Sequence, residues 1–213
     1  MTDQIIKLYD SNCMTYDKWY DDNTFAHLSE LEAIKRVLPK KGDGLEIGVG
    51  TGRFAAPLGI QFGVDPSKKM IALAKKRGIK IQVGFGESLP YADARFDYVA
   101  IINTLCFAKN PRQTIMETHR VLKNKGKLII GFIDRNSFLG QAYQAKKSRF
   151  YKHANFLDVE ELSQLIEDLQ FILLGFYQTI FQFPEKICAL EKPRKGFGTG
   201  GFVVIDAKKI SMP

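Results

Sequence analysis

The sequence predicts an α/β chain, a doubly wound and mostly parallel sheet with helices on both faces, and three observations carry that prediction. Short apolar runs of strand length alternate with segments of helical period between Gly44 and Phe132. The first run passes directly into a turn built on three glycines, Gly48-Val49-Gly50-Thr51-Gly52. Beyond Phe132 the alternation gives way to two helical stretches and then two strands joined by a loop. With 213 residues and no internal repeat, the chain is read as one domain.

The elements follow in order. Leu28, Leu31, Ile34 and Val37 recur at three-residue spacing and predict an amphipathic helix over Thr24–Leu38, stopped by Pro39-Lys40-Lys41-Gly42. Gly44–Ile47 is the first strand. Gln61–Val64 is the second, ended by Asp65-Pro66. Ser67 caps a helix that runs to Arg77 and closes at Gly78. Ile79–Val83 and Phe96–Ile102 are the third and fourth strands. Pro111 opens a helix to Leu122, and Gly126 breaks it before a strand at Lys127–Phe132. Arg135–Ser148 reads as a polar helix. Asp158 starts a clearer one, with Leu162, Leu165, Ile166 and Leu169 on one face. Phe171–Phe183, rich in aromatic and β-branched residues, favours a strand, and Phe202–Ala207 is the last. The glycines at 196–201 precede a strand and lack a following Lys-Ser/Thr pair, so they read as a loop rather than a phosphate cradle.

Composition narrows the function classes. With 45% hydrophobic and 25% charged residues the chain is an ordinary globular sequence, not a disordered one. Cys13, Cys106 and Cys188 lie far apart without a CxxC spacing, which argues against a disulfide framework and a zinc site; no metal is expected. No signal peptide is visible, and Tyr98–Ala108 is too short for a bilayer and contains Asn103 and Thr104. A cytoplasmic protein without a membrane span is the simplest expectation. The net charge of +8 can attract nucleic acid, acidic lipid or an anionic small molecule. The basic residues are spread, however. The densest groups, Lys146-Lys147-Ser148-Arg149 with Lys152 and Lys192-Pro193-Arg194-Lys195, read as solvated faces.

A glycine-rich turn between a strand and a helix exposes backbone amides to a ligand, because no Cβ intervenes. The dinucleotide pattern is G-x-G-x-x-G. Here it is G-x-G-x-G, with Glu46 two residues before it. That carboxylate repels a pyrophosphate and suits the ammonium of a methionine group. Asp65, at the end of the second strand, can accept hydrogen bonds from both ribose hydroxyls; the alternative is a turn residue before Pro66.

Four stretches then resemble, in order and spacing, the successive motifs of class I S-adenosylmethionine-dependent methyltransferases. They are LEIGVGTGRF, GVDPSKKMIALAKKRG, GESLPYADARFDYVA and RVLKNKGKLIIG, spanning Leu45 to Gly131. The resemblance is nearest to the branch containing small-molecule and quinone-biosynthesis enzymes. It implies S-adenosyl-L-methionine as cofactor and a Rossmann-like sheet of seven strands, the last antiparallel. Glu46, Gly48, Gly50 and Gly52 are then expected around the methionine moiety. Asp65 is expected on the ribose, Pro66 at the adenine edge, Gly86 and Glu87 along adenine, and Asn103 near the sulfonium. Residues 1–42 become an N-terminal helical arm or lid, 43–133 the cofactor-binding core, and 134–213 substrate-side helices and antiparallel strands. Phe85 stands where the family often has an acidic adenine contact, so aromatic packing and backbone groups are expected to hold adenine instead. The segment from Gly52 to Gly63 is short, which implies a stubby first helix.

Because a sulfonium is already electrophilic, a dedicated acid or base is optional, and none announces itself. The acceptor pocket must come from the N-terminal arm and the C-terminal part. Tyr9, Tyr16, Trp19 and Tyr20 form either an aromatic lid or ordinary packing of the arm. Cys106 and Phe107 follow the fourth strand where a substrate can pass, although a buried cysteine is more often a small hydrophobe. Asp134 and Arg135 end the fifth strand and are either substrate contacts or a helix start and a surface charge. His153 is either a base or a surface histidine, and His27 and His119 have no partner pattern. A small-molecule methyl acceptor is the expected partner. RNA or protein is the alternative that the charge favours, although Asn103-Thr104-Leu105 lacks the Asn-Pro-Pro-Tyr pattern of many base-amino methylases. A non-catalytic adenosine-ligand binder or a nicotinamide enzyme is a third reading.

Overall fold

The computed structural model describes residues 1–146 and 150–210. Lys147, Ser148 and Arg149, and with them the end of the expected Arg135–Ser148 helix and most of one basic group, lie outside the described residues. Three helices lead in: α1 (Asp3–Ser11), α2 (Cys13–Asp22) and α3 (Thr24–Lys35). The sheet begins with β1 (Gly44–Ile47), α4 (Ala55–Leu58), β2 (Phe62–Asp65), α5 (Lys68–Lys76) and β3 (Lys80–Val83). It continues through β4 (Phe96–Ile102), α6 (Pro111–Val121) and β5 (Leu122–Ile133). The remainder is α7 (Phe138–Ala145), α8 (Val159–Asp168), β6 (Phe171–Thr179), β7 (Arg194–Lys195) and β8 (Phe202–Lys209).

The strands form one sheet in the order β3-β2-β1-β4-β5-β8-β6-β7. The first five are mutually parallel; β8 runs antiparallel between β5 and β6, and β7 pairs antiparallel with β6 at the edge. The count is therefore eight where the resemblance implied seven. The added strand is two exposed, charged residues, Arg194 and Lys195, against Tyr177 and Gln178. Such a piece has no apolar alternation for sequence to display. The last strand is antiparallel as expected.

Alternation explains why β4 is buried from Tyr98 to Ile102. Tyr98, Ala100 and Ile102 join the core on one face, while Val99 and Ile101 join that on the other. The local signals act as read: Ser67 Oγ accepts from Met70 N–H at 3.3 Å to cap α5, and Asp158 accepts from Glu161 N–H at 2.8 Å to cap α8. The first sheet helix, α4, is a single turn of 4 residues closed by Gly59 at φ +70°. Two details differ. α7 starts at Phe138 rather than Arg135, because residues 134–137 make a turn in which Ser137 accepts from Gly140 N–H. Along α3, Leu28 is 40% exposed, whereas Ser29 and Glu30 are buried. This helix packs against α2 and α4 as well as the strands, so no single apolar stripe describes it.

Candidate active site

β1 has β2 on one side and β4 on the other, and the chain leaves it in one direction and returns on the opposite side. A crevice at the carboxyl ends of strands is the consequence of such a reversal. The glycine turn fills its floor. Gly48 and Val49 both donate to the Val64 carbonyl, at 2.8 and 3.1 Å. Gly48, Gly50 and Gly52 sit at φ +71°, +53° and +83°, a region closed to most side chains. A Cβ on Gly52 meets Ile79 Cδ1 at 2.5 Å, so this glycine lets the turn pack directly on the segment behind α5.

Asp65, at the end of β2, ties the turn to the next helix. Its Oδ2 accepts from Gly50 N–H at 2.9 Å and its Oδ1 from Ser67 N–H at 2.8 Å. Burial pushes its carboxyl up to about 6, with the two backbone donors opposing. Glu46 is buried behind the turn. Burial drives it well above the usual carboxylate range, a hydrogen bond from Ala55 N–H opposes, and the Asp65 charge raises it further; its Oε2 has no partner.

Asn103, the residue after β4, takes a left-handed backbone at φ +50°. Its N–H donates to Gly131 at 2.8 Å while its Oδ1 is buried without a partner. A strained residue with an unsatisfied oxygen at a strand end is a functional pointer in physical terms. Asn103 stands on the wall of three adjoining spaces. The first is a cleft that runs past Gly48, Gly50, Asp65 and Phe107 under Tyr9 and Tyr16. The second is a small apolar hollow with Cys106, Phe132 and Leu162. The third is a cavity of about 250 Å³ lined by Tyr16, Trp19, Tyr20, Tyr143, Phe150 and Tyr151, with Glu30 beside them. A narrow slot continues the cleft between Pro66, Phe85, Gly86 and Glu87.

The structure thus gathers Gly48, Gly50, Asp65, Pro66, Phe85, Gly86, Glu87 and Asn103 along one connected crevice. Gly52 and Glu46 lie behind its wall as packing and support. Of the substrate candidates, Tyr16 and Trp19 line the large cavity, Phe107 the cleft and Cys106 the hollow. Burial pushes the Cys106 thiol up to about 12, so it is an inert small hydrophobe. Asp134 and Arg135 are not brought to these spaces. Asp134 accepts from Asn136 N–H, and Arg135 pairs with Asp158 and Glu161 at the start of α8. His27 is packed between Tyr20 and Phe54 with its Nε2 3.0 Å from the Arg53 carbonyl, and burial lowers it to about 4. Glu30, Tyr143, Phe150, Tyr151 and Thr104 are site residues that sequence reasoning missed. Only the aromatic content of Phe150-Tyr151 offered any signal.

A clasp holds α2 over the turn. Arg53, just past the last glycine, donates to both oxygens of Asp17 at 2.9 and 2.7 Å and to Asp21 at 2.6 and 2.8 Å. Arg77 donates to Asp17 at 2.9 Å and to the Thr51 carbonyl at 2.7 Å. The aromatic side chains of α2 are therefore positioned from the turn itself.

A family model described as a methyltransferase domain matches residues 45–130. A crystal structure from Thermotoga maritima, of an S-adenosylmethionine-dependent methyltransferase and possible histamine N-methyltransferase, is 42% identical with a TM-score of 0.93. The match covers 96% of this chain and 99% of that one. An uncharacterized protein of Methanocaldococcus jannaschii is 50% identical over 207 residues, 96% of this chain and 100% of that protein. A ubiquinone/menaquinone biosynthesis C-methyltransferase of Geotalea uraniireducens is 32% identical over 114 residues, 46% of this chain and 48% of that one.

Proposed function

Because the chain belongs to the S-adenosylmethionine-dependent methyltransferases, we propose that it methylates a small organic acceptor held in the aromatic cavity. One observation carries this reading. The cavity and the cofactor cleft share Tyr9, Tyr16 and Asn103, so an acceptor in one meets the cofactor in the other across a common wall. At about 250 Å³ the cavity approaches the size of small-molecule pockets, which start near about 300 Å³.

The residues present fit the cofactor. The turn at Gly50 leaves open space in front of the backbone, where an added Cβ meets nothing nearer than the Tyr16 ring, at 3.8 Å. Asn103 Oδ1 is a buried acceptor still lacking a donor. The Asp65 oxygens each accept one backbone hydrogen bond and retain a lone pair for the ribose hydroxyls. Pro66 and Phe85 offer apolar faces to adenine. When bound, the cofactor supplies an activated methyl on a sulfonium. The chain's own contribution is to orient the acceptor toward Asn103 and to exclude water with Tyr9, Tyr16 and Phe107.

The test is transfer of radiolabelled methyl from S-adenosylmethionine into a cell extract, fractionated by size with and without nuclease. Label in the small-molecule fraction is expected. Nuclease-sensitive label in the large fraction refutes the proposal and gives the +8 charge a function. A second measurement addresses Asp65. Asp65→Asn lowers S-adenosylhomocysteine affinity about tenfold, or about 1.4 kcal/mol, by weakening the ribose acceptor. Unchanged affinity removes Asp65 from the ribose.

A further inference from the structure

We infer that the acceptor is an organic amine whose ammonium group pairs with Glu30, on the part of the aromatic cavity away from the cofactor. The inference rests on the small-molecule reading above and gives it a substrate class.

Three observations converge. Glu30 is only 5% exposed, lines the cavity and has an Oε2 that is buried without a hydrogen-bond partner. An orphaned carboxyl is costly inside a protein, and an incoming donor relieves that cost. Second, Lys, Arg and His are absent from the described lining of the cavity, although the chain as a whole carries +8. Anionic acceptors therefore find no counter-charge among those described residues. Third, the rings of Tyr16, Trp19, Tyr20, Tyr143, Phe150 and Tyr151 present the electron-rich surface that attracts an organic cation. Carboxyl and rings together are the chemistry of an amine site.

Position separates the anchoring from the reaction. Glu30 lines the large cavity but not the cleft, whereas Tyr16 and Asn103 line both. An amine anchored at Glu30 thus directs its other end to the shared wall. The charge state is consistent with this arrangement. Burial raises the Glu30 carboxyl to about 8, so it is neutral at pH 7 until an amine pairs with it. The facing groups are Tyr16 and Tyr20 from α2, Tyr143 from α7 and Tyr151 from the turn before α8; burial raises all four phenols, and they stay neutral. An arriving ammonium therefore converts Glu30 to its carboxylate, and one proton leaves for solvent.

The experiment is titration calorimetry on protein saturated with S-adenosylhomocysteine, at pH 7, in buffers of different ionisation enthalpy. The probes are 2-phenylethylamine, 2-phenylethanol and 3-phenylpropionate, which vary charge on a similar frame. The amine is expected to bind at least about tenfold more tightly than the alcohol, with the carboxylate weakest and close to one proton released per amine bound. Glu30→Gln abolishes the proton release and the amine preference while leaving the alcohol within about twofold; Glu30→Asp retains the preference. Folding of Glu30→Gln is checked by its melting temperature at pH 8. A raised carboxyl stabilises the fold fully only below its unfolded value and loses that contribution as pH rises to about 8, so the amide variant melts no lower there. Equal binding of alcohol and amine to the wild type, or a preference that survives Glu30→Gln, overturns the inference and leaves the small-molecule reading standing. Failure of all three probes to bind overturns the inference, and label confined to macromolecules then removes the broader reading too.

Discussion

Gly50→Leu eliminates cofactor binding from a chain that stays folded. Gly50 lies at φ +53°, and a Cβ there has open space, its nearest contacts being Tyr16 Cε1 at 3.8 Å and the Gly48 carbonyl at 4.0 Å. The first carbon therefore fits. The rest of a leucine extends into the cleft between the turn and Tyr16, where we place the methionine end of the cofactor. The fold loses only the left-handed backbone penalty of a non-glycine residue, about 1–2 kcal/mol. For a domain of this size that is a fall of about 2–8 °C in Tm. Cofactor affinity falls by at least about 100-fold, equivalent to about 2.7 kcal/mol. Calorimetric titration with S-adenosylhomocysteine and a thermal melt on the same sample separate the two effects. Affinity kept within twofold shows that the ligand lies elsewhere. Gly48 is not a useful substitute, since a Cβ there comes within 2.3 Å of Thr104 Oγ1 and perturbs the fold as well.

Asp17→Ala is the largest expected change in stability. Burial opposes ionisation of Asp17, but hydrogen bonds from Arg53 and Arg77 outweigh it and hold the carboxyl below the usual range. Its side chain is 13% exposed, and those of its partners Arg53 and Arg77 are 18% and 27% exposed. Removing the carboxylate strands two partly buried guanidinium groups. Fully buried pairs lose about 3–5 kcal/mol when broken in this way. Partial exposure and the remaining Arg53–Asp21 bridge reduce the loss here to about 2–4 kcal/mol, a drop of about 4–16 °C in Tm. The sign with pH follows from the depressed carboxyl. Its contribution is complete above the unfolded aspartate value of about 4 and is lost as pH falls below it. The Tm difference between wild type and Asp17→Ala is therefore widest near neutrality and closes in acid. A gap that is constant with pH refutes the ion-pair account. Since α2 carries Tyr16, Trp19 and Tyr20, the same variant raises the KM for the acceptor more than it lowers S-adenosylhomocysteine affinity.

The cofactor half of the molecule was legible because its chemistry is local. Bare backbone at Gly48 and Gly50 requires glycine at those positions, and a carboxylate after β2 must be written where the strand ends. The cap at Ser67 and the single-turn α4 are also short-range, set by residues within a few places of one another. Apolar runs buried on both faces marked β4 at Tyr98–Ile102 and the later part of β5 at Leu128–Ile133.

The acceptor half was decided by tertiary contact. Asp134 and Arg135 sit at a strand end, where ligands gather, yet Arg135 is drawn to Asp158 and Glu161 far along the chain. Tyr16 was legible as an aromatic residue but not as a shared wall, which depends on α2 being clasped through Arg53 and Arg77. Glu30 was invisible. In a helix read by its leucines it looks like one more solvated glutamate, and only packing on several sides turns it inward while leaving Leu28 outside. By itself the sequence determined the sheet, the glycine turn and the cofactor, because those depend on backbone geometry imposed by residues close together in the chain. The tertiary structure alone decided the cavity and its single buried carboxyl, because burial is a property of how distant helices meet.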